Sequence, residues 1–221
     1  IGGLQAGVYT LLVTDANGCQ FTMLDTISEP AAMNTNVDSM ANVSCNGMND
    51  GYVSVSLFGG EAPYTYSWST GDTLPLIDSL VAGTYTLQVT DNKACTQNFT
   101  YTITEPSILG ISASSTNSTC SNCMNGTATA NVSGGTPPYS YSWSNGDQSI
   151  SADSLDAGTY YINVVDANGC MVEDSVSISA PAAMSISVTG IDANCAGEAS
   201  GSATVTVSGG SIPFVYSWSN G

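Results

Sequence analysis

The chain has 221 residues and a formal charge of −17, from 18 Asp and Glu against one basic residue, Lys93, with no His and no Arg. Nucleic acid is excluded as a partner, because neutralising phosphates takes clusters of Lys and Arg, and an anionic membrane surface repels such a chain. Most general-base, metal-binding and anion-clamping constellations lack their residue types, so the composition speaks against an enzyme.

Charged residues make up 9% of the chain and hydrophobic ones 42%, and the apolar residues alternate with Ser, Thr, Asn and Gly. That pattern predicts many short strands joined by turns rather than disorder or helix. Neither a leader peptide nor an apolar run near 18 residues is present, so the piece reads as soluble, without membrane insertion. In chain order, Ala6 to Cys19 opens the reading with the turn Asp15-Ala16-Asn17-Gly18, where Asn-Gly suits a tight hairpin. A complete unit then follows. Its predicted strands run from about Met33 to Ser39, Gly51 to Phe58, Tyr64 to Ser69, Leu74 to Ile77, Thr84 to Thr90 and Cys95 to Thr104. A Gly59-Gly60 turn and Pro63 precede the aromatic strand, and the last two strands form a hairpin.

These features recur. Trp68, Trp143 and Trp218 are spaced by 75 residues, as are Cys45, Cys120 and Cys195, and Asp-x-x-Gly/Ala-Cys turns end at Cys19, Cys95 and Cys170. With Pro30, Pro106 and Pro181 as boundaries, residues 1–31 read as the tail of one domain. Residues 32–106 and 107–181 read as complete domains, and 182–221 as the head of a fourth. Both ends fall inside repeats, which predicts a longer protein. Linkers such as Glu29-Pro30-Ala31-Ala32 are short, which predicts a semi-rigid row. The expected architecture is all-β: tandem small Ig-like antiparallel sandwiches with Trp68, Trp143 and Trp218 in equivalent cores.

The string Cys-Asn-Gly, a Gly-rich strand, Gly-Gly-x-x-Pro-Tyr-x-Tyr-x-Trp-Ser-x-Gly, Leu-x-Ala-Gly-Thr-Tyr, Val-x-Asp-Ala-Asn-Gly-Cys and a closing Glu-Pro resembles the SprB repeat family of Bacteroidota surface proteins. The resemblance covers essentially the whole chain. It implies a very long extracellular, cell-surface adhesin, of the kind that includes gliding-motility filaments exported by type IX secretion. Lys93-Ala94 replaces Asn-Gly in one turn, and Cys120-Ser-Asn-Cys123 carries an added cysteine.

Seven cysteines in small domains without His predict disulfides in an oxidising compartment rather than zinc. Two regular pairings exist. Within a domain, Cys45 would join Cys95 and Cys120 would join Cys170. Across domains, Cys19 would join Cys45, Cys95 would join Cys120 and Cys170 would join Cys195. Loop entropy gives about 4 and about 3.5 kcal/mol and does not choose. Cys95 shares strand parity with Phe99, Tyr101 and Ile103, and Cys170 with Val172, Val176 and Ile178. Core-facing thiols and the need of a small domain for a staple favour the intradomain pairing, with Cys19 and Cys195 pairing outside the fragment. Cys123 is extra to this framework.

No cofactor is expected. The alternative is Ca²⁺ held by Glu29 and Glu105 with the turn residues Asp15 and Asp91, but Asp beside Asn-Gly is more often a turn former. The triplet Asp-Ser/Thr-aliphatic, which looks like an O-glycosylation signature of exported Bacteroidota proteins, places candidate attachment at Thr26, Ser39, Thr73, Ser79, Ser154 and Ser175. Asn42, Asn98, Asn117, Asn125 and Asn131 stand in Asn-x-Ser/Thr sequences, which matter only in a host with that machinery.

Three functions fit. The leading one is a structural and adhesive stalk, whose repeats set length and stiffness while binding is done by surface patches or a distal tip outside this fragment; self-association into filaments is open to it where sheet edges are unprotected. A second is a module binding surface glycans or protein through loops near Gly47 to Gly51, Gly71 to Leu74 and Asp91 to Cys95. A third is a spacer in a large secreted enzyme.

Overall fold

The computed structural model describes residues 1–219. Sixteen strands are present among them, all in antiparallel sheets, and no helix. A hairpin comes first: β1 (Gly7–Thr14) and β2 (Gln20–Ile27). Six strands follow: β3 (Asn34–Ala41), β4 (Gly51–Phe58), β5 (Thr65–Trp68), β6 (Leu76–Leu80), β7 (Gly83–Thr90) and β8 (Thr96–Ile103). The set repeats as β9 (Gly110–Thr116), β10 (Gly126–Ser133), β11 (Ser140–Trp143), β12 (Ser151–Leu155), β13 (Gly158–Val165) and β14 (Met171–Ile178). A two-stranded sheet of β15 (Ser185–Ile191) and β16 (Ser202–Ser208) closes the series.

The chain forms two compact units, Ile1–Val43 with Gly47–Glu105, and Ser44–Asn46 with the described residues from Pro106 on. In the first, sheet β3-β4-β6 and sheet β5-β7-β8 contribute to one core of Val53, Val55, Ile77, Leu80, Trp68, Leu87, Val89, Tyr101 and Ile103. In the second, β12-β10-β9 and β11-β13-β14 enclose Ala128, Ala130, Trp143, Ala152, Leu155, Ile162, Val164 and Ile178. Each is an Ig-like antiparallel sandwich. The period-2 pattern of Val53, Val55 and Leu57 places the apolar side of β4 inward, as alternation requires.

The strand expected at Leu74 to Ile77 forms later, at β6, because Pro75 has no N–H to give a ladder and instead accepts from the Val55 amide with its carbonyl. Within β6, Ile77 and Leu80 are both buried although their spacing of three puts them on opposite faces of a regular strand. Ser79 resolves the conflict. It adopts a left-handed φ of 56°, where β6 slips register against β4, and this resets the parity. Ser154 does the same between Ala152 and Leu155.

Two glycines permit the close approach of elements. A methyl group on Gly51 would lie 2.8 Å from Ile103 Cγ2 and 2.9 Å from the Leu80 carbonyl oxygen, and one on Gly59, at φ 74°, would overlap the Ala32 carbonyl.

Trp68 and Trp143 are buried, and their indole N–H groups donate to the carbonyls of Leu74 and Ser149 at 2.8 and 3.0 Å. Trp218 departs from the expectation of an equivalent core. It is 43% exposed, because the β15–β16 sheet has no facing sheet among the described residues. Trp143→Ala is expected to cost the second unit about 3 to 5 kcal/mol in denaturant unfolding, whereas Trp218→Ala leaves the denaturation midpoints unchanged.

Candidate functional site

The polar chemistry of each sandwich collects where the β7–β8 hairpin, or its counterpart β13–β14, turns. Asp91 Oδ1 accepts from the N–H groups of Lys93 and Cys95 at 2.8 and 2.9 Å, and Oδ2 accepts from Glu61 N–H at 3.1 Å. Asp166 repeats this with Asn168 and Cys170 on Oδ1 and Thr136 on Oδ2. Asp15 holds Asn17 and Cys19 in the same way. The carboxylate therefore ties the hairpin turn to the segment after the Gly-Gly turn. Burial on its own would push the Asp91 carboxyl up, but the N–H groups of Cys95, Glu61 and Lys93 hold it below the usual carboxylate range. Burial and the donors Thr136, Cys170 and Asn168 act likewise on Asp166, with the same net lowering.

These Asp residues act as turn formers, each accepting from the N–H groups of its own hairpin turn. Asp91 and Glu105 lie at opposite ends of β8, and Asp15 and Glu29 at opposite ends of β2, so the structure does not bring either pair together. Glu105 Oε2 instead accepts from Gly47 N–H at 2.6 Å. Among the described residues no group of three or more His, Cys, Asp or Glu is placed to hold a metal ion.

The structure corrects the disulfide pairing. Cys45 is joined to Cys170, and Cys120 to Cys123, while Cys19, Cys95 and Cys195 are free and exposed. The intradomain pair Cys45–Cys95 fails on distance. Val43 N–H donates to Thr104 carbonyl, which sets the Cys45 loop at the C-terminal end of β8, and Cys95 precedes its N-terminal end. Eight strand residues span about 26 Å, against about 7 Å between Cα atoms for a disulfide. The same holds for Cys120 and Cys170, because Ser118 N–H donates to Ser179 carbonyl beyond β14. Parity with the core ends where the sheet ends, so Cys95 gains no facing partner.

Residues Ser44–Asn46 belong with the second unit. Asn168 Nδ2 donates to Ser44 carbonyl at 2.8 Å, Asn46 Nδ2 donates to Pro106 carbonyl at 3.0 Å, and Cys45 bonds to Cys170. The corresponding loop at Cys120 differs. Ala180 stands where Glu105 would accept a loop N–H, and the loop is closed on itself by Cys123 and by Asn125, which accepts from Ser118 and Thr119.

The three loops considered for binding lie apart. In the first unit, Asp91–Cys95 lies at one end of the sandwich and Gly47–Gly51 at the other, while the segment from Gly71 to Leu74 bridges β5 and β6 along an edge and holds the Trp68 indole. The six Asp-Ser/Thr-aliphatic candidates, Thr26, Ser39, Thr73, Ser79, Ser154 and Ser175, are all exposed. Asn42 and Asn117 serve the fold, accepting from the N–H groups of Thr104 and Ser179.

The geometry defines a class of protein first: a region of tandem antiparallel β-sandwiches whose polar groups are spent on turns, staples and edges. The chain belongs to the SprB repeat family, whose model matches residues 37–73, 112–148 and 185–221. No curated protein matches it. Among solved structures, it is similar to the N-terminal eight Ig domains of Down Syndrome Cell Adhesion Molecule isoform 1.30.30, at 13% identity and TM-score 0.44, over 79% of this chain and 28% of that one. It is also similar to the two Ig domains of DIP-gamma, at 14% identity and TM-score 0.36, over 66% of this chain and 97% of that one.

Two outcomes are expected from this geometry. Non-reducing peptide mapping should recover a Cys45–Cys170 peptide, and Cys45→Ser should lower stability by about 5 kcal/mol, the loop-entropy value for so long a span; recovery of Cys45–Cys95 contradicts the arrangement. Secondly, because Asp91 and Asp166 titrate lower folded than unfolded, their stabilisation is full above the unfolded value of about 3.9 and is lost as pH falls through the lower folded values. Urea midpoints should hold from neutral pH to about 5 and then decline, and Asp166→Asn should flatten that decline.

Proposed function

We propose that this chain is a stalk segment of a long, exported cell-surface adhesin, in which repeated sandwiches bounded near residues 31, 106 and 181 set length while attachment is made elsewhere on the protein. The observation that carries the reading is the building of two sandwiches from one repeated sequence, down to the same Asp-centred turn and the same left-handed serine. Family membership points the same way, because SprB repeats are associated with surface adhesins. A chain without His or Arg that uses its carboxylates as turn ties suits a passive spacer better than catalysis. The separation of its three loops disfavours a single binding rim on each domain.

Exposed Ser79 and Ser154 are the strongest of the modification candidates. Each is pushed out of its strand by a left-handed bulge, in the same position of successive repeats, with its hydroxyl donating to the preceding Asp carboxylate at 3.0 Å. A glycan there would hydrate a weakly charged surface and shield its edges from pairing.

Both parts are read in the native host. In-frame removal of one 75-residue unit is expected to shorten the surface filament seen by electron microscopy while attachment persists, and the protein should carry glycan mass at Ser79 and Ser154 together. Loss of attachment at unchanged expression would favour the binding-module reading, and a mass equal to the bare polypeptide would remove the glycan.

A further inference from the structure

Cys95 stands where Cys170 stands in the next repeat, on the same Asp-tied turn, yet its thiol is free and exposed. Beside it lies a cavity of about 320 Å³ lined by Glu29, Pro30, Met33, Gly60, Asp91 and Cys95, among others, all within the first unit. We infer that this cavity is a docking socket for the cysteine loop of another SprB repeat, closed by a disulfide to Cys95.

The sister site supplies the evidence that such a socket takes such a ligand. There the segment Ser44-Cys45-Asn46 is held by three features: the disulfide to Cys170, the Asn168 side chain on Ser44 carbonyl, and Pro106 carbonyl on the Asn46 side chain. The residue after this segment, Gly47, donates its N–H to Glu105. Each of these features has its counterpart around the cavity. Cys95 replaces Cys170 and the Glu29-Pro30 pair replaces Glu105-Pro106, both on the cavity lining, and Lys93, outside the lining, stands at the position of Asn168 in the turn. Lys93 reaches back to Glu61 at 3.6 Å, so the changed donor keeps its place over the Gly-Gly segment. The occupant follows from the same comparison: a Cys-Asn-Gly loop, whose thiol, side-chain amide and glycine N–H match a thiol, a carbonyl and a carboxylate.

As Cys45 and Cys170 show, the first cysteine of one repeat then pairs with the second cysteine of the repeat that follows it, rather than with that of its own domain; Cys120 departs from this pattern, being closed on Cys123. Closing the bond converts two thiols into one disulfide. The two electrons and two protons pass to a disulfide oxidant of the exporting compartment, whose own S–S bond is reduced to two thiols. Cys19 provides an internal control. It sits on the same kind of Asp-tied turn but is not among the residues lining this cavity. The inference rests on the tandem-stalk reading, and deepens it by naming how one repeat engages another.

The test uses the whole chain with its native Cys45–Cys170 bond intact and a synthetic peptide of residues 42–48 whose cysteine carries a thiopyridyl leaving group. The Cys95 thiolate attacks the peptide sulfur, the bond to the pyridine sulfur breaks, and thiopyridone leaves with the electron pair. The expected result is labelling of Cys95 about tenfold faster by this peptide than by a scrambled one, what one net hydrogen bond is worth. Cys19 and Cys195 should show no sequence preference, and a peptide with the Asn46→Ala change should lose most of the advantage. Equal labelling of the three thiols, or equal rates with native and scrambled peptides, would overturn the socket. Neither result bears on filament length, so the stalk reading stands or falls separately.

Discussion

Each repeat depends on one carboxylate placed where two pieces of chain must meet. A sandwich of about 75 residues has little apolar area to bury, so its ends hold only if their backbone N–H groups find partners. Asp91 and Asp166 supply those partners, tying the hairpin turn to the strand-entry segment 30 residues earlier. Gly60 and Gly135 stand against the same carboxylates; an added methyl would come within 3.1 and 2.9 Å of them. The Gly-Gly turn, the Asp turn and the cysteine beside it are thus one mechanical unit. That explains why they recur together even where their neighbours change.

The second constraint is the narrowness of the core. Sheets only three strands wide leave few inward positions, and β6 and β12 each fill two of them at a spacing that a regular strand cannot offer. The left-handed serine costs about 1 kcal/mol of backbone strain, yet it lets Ile77 and Leu80, or Ala152 and Leu155, both turn inward. Burying a leucine side chain is worth about 1.5 to 3 kcal/mol, so the bulge is favourable on balance. An exposed hydroxyl beside an aspartate is a by-product of that packing, and it is this by-product that makes Ser79 and Ser154 accessible to modification.

Much of this was legible in the residues. Alternation gave β4 its bounds, Asn-Gly and Asp gave the hairpin turns, and the 75-residue period gave two equivalent cores around Trp68 and Trp143. The bulges were not legible, because a serine in the left-handed region has no compositional mark. Trp218 was misjudged because a repeat position implies burial only when a facing sheet is present. The placement of Gly47–Gly51, Gly71–Leu74 and Asp91–Cys95 at different parts of the sandwich was not legible either, because closeness in a motif string says nothing about which end of a strand a loop occupies.

The disulfide error has a different origin, and it follows from the repetition itself. Parity and loop entropy can rank the partners of Cys45 only once the candidates are fixed, and in a periodic chain every candidate returns one repeat later in the same local setting. Cys95 and Cys170 are such a pair. They share the Asp-tied turn and the strand start, and differ by one 75-residue period. Loop entropy grows only with the logarithm of loop length, so a separation of 125 residues is barely distinguishable from one of 50. Only the three-dimensional placement of the loop at the C-terminal end of β8 removes the near candidate. A pairing that skips to the next repeat uses the sequence identity of the sockets without needing any new motif, and an array built this way is held by bonds that no isolated repeat contains.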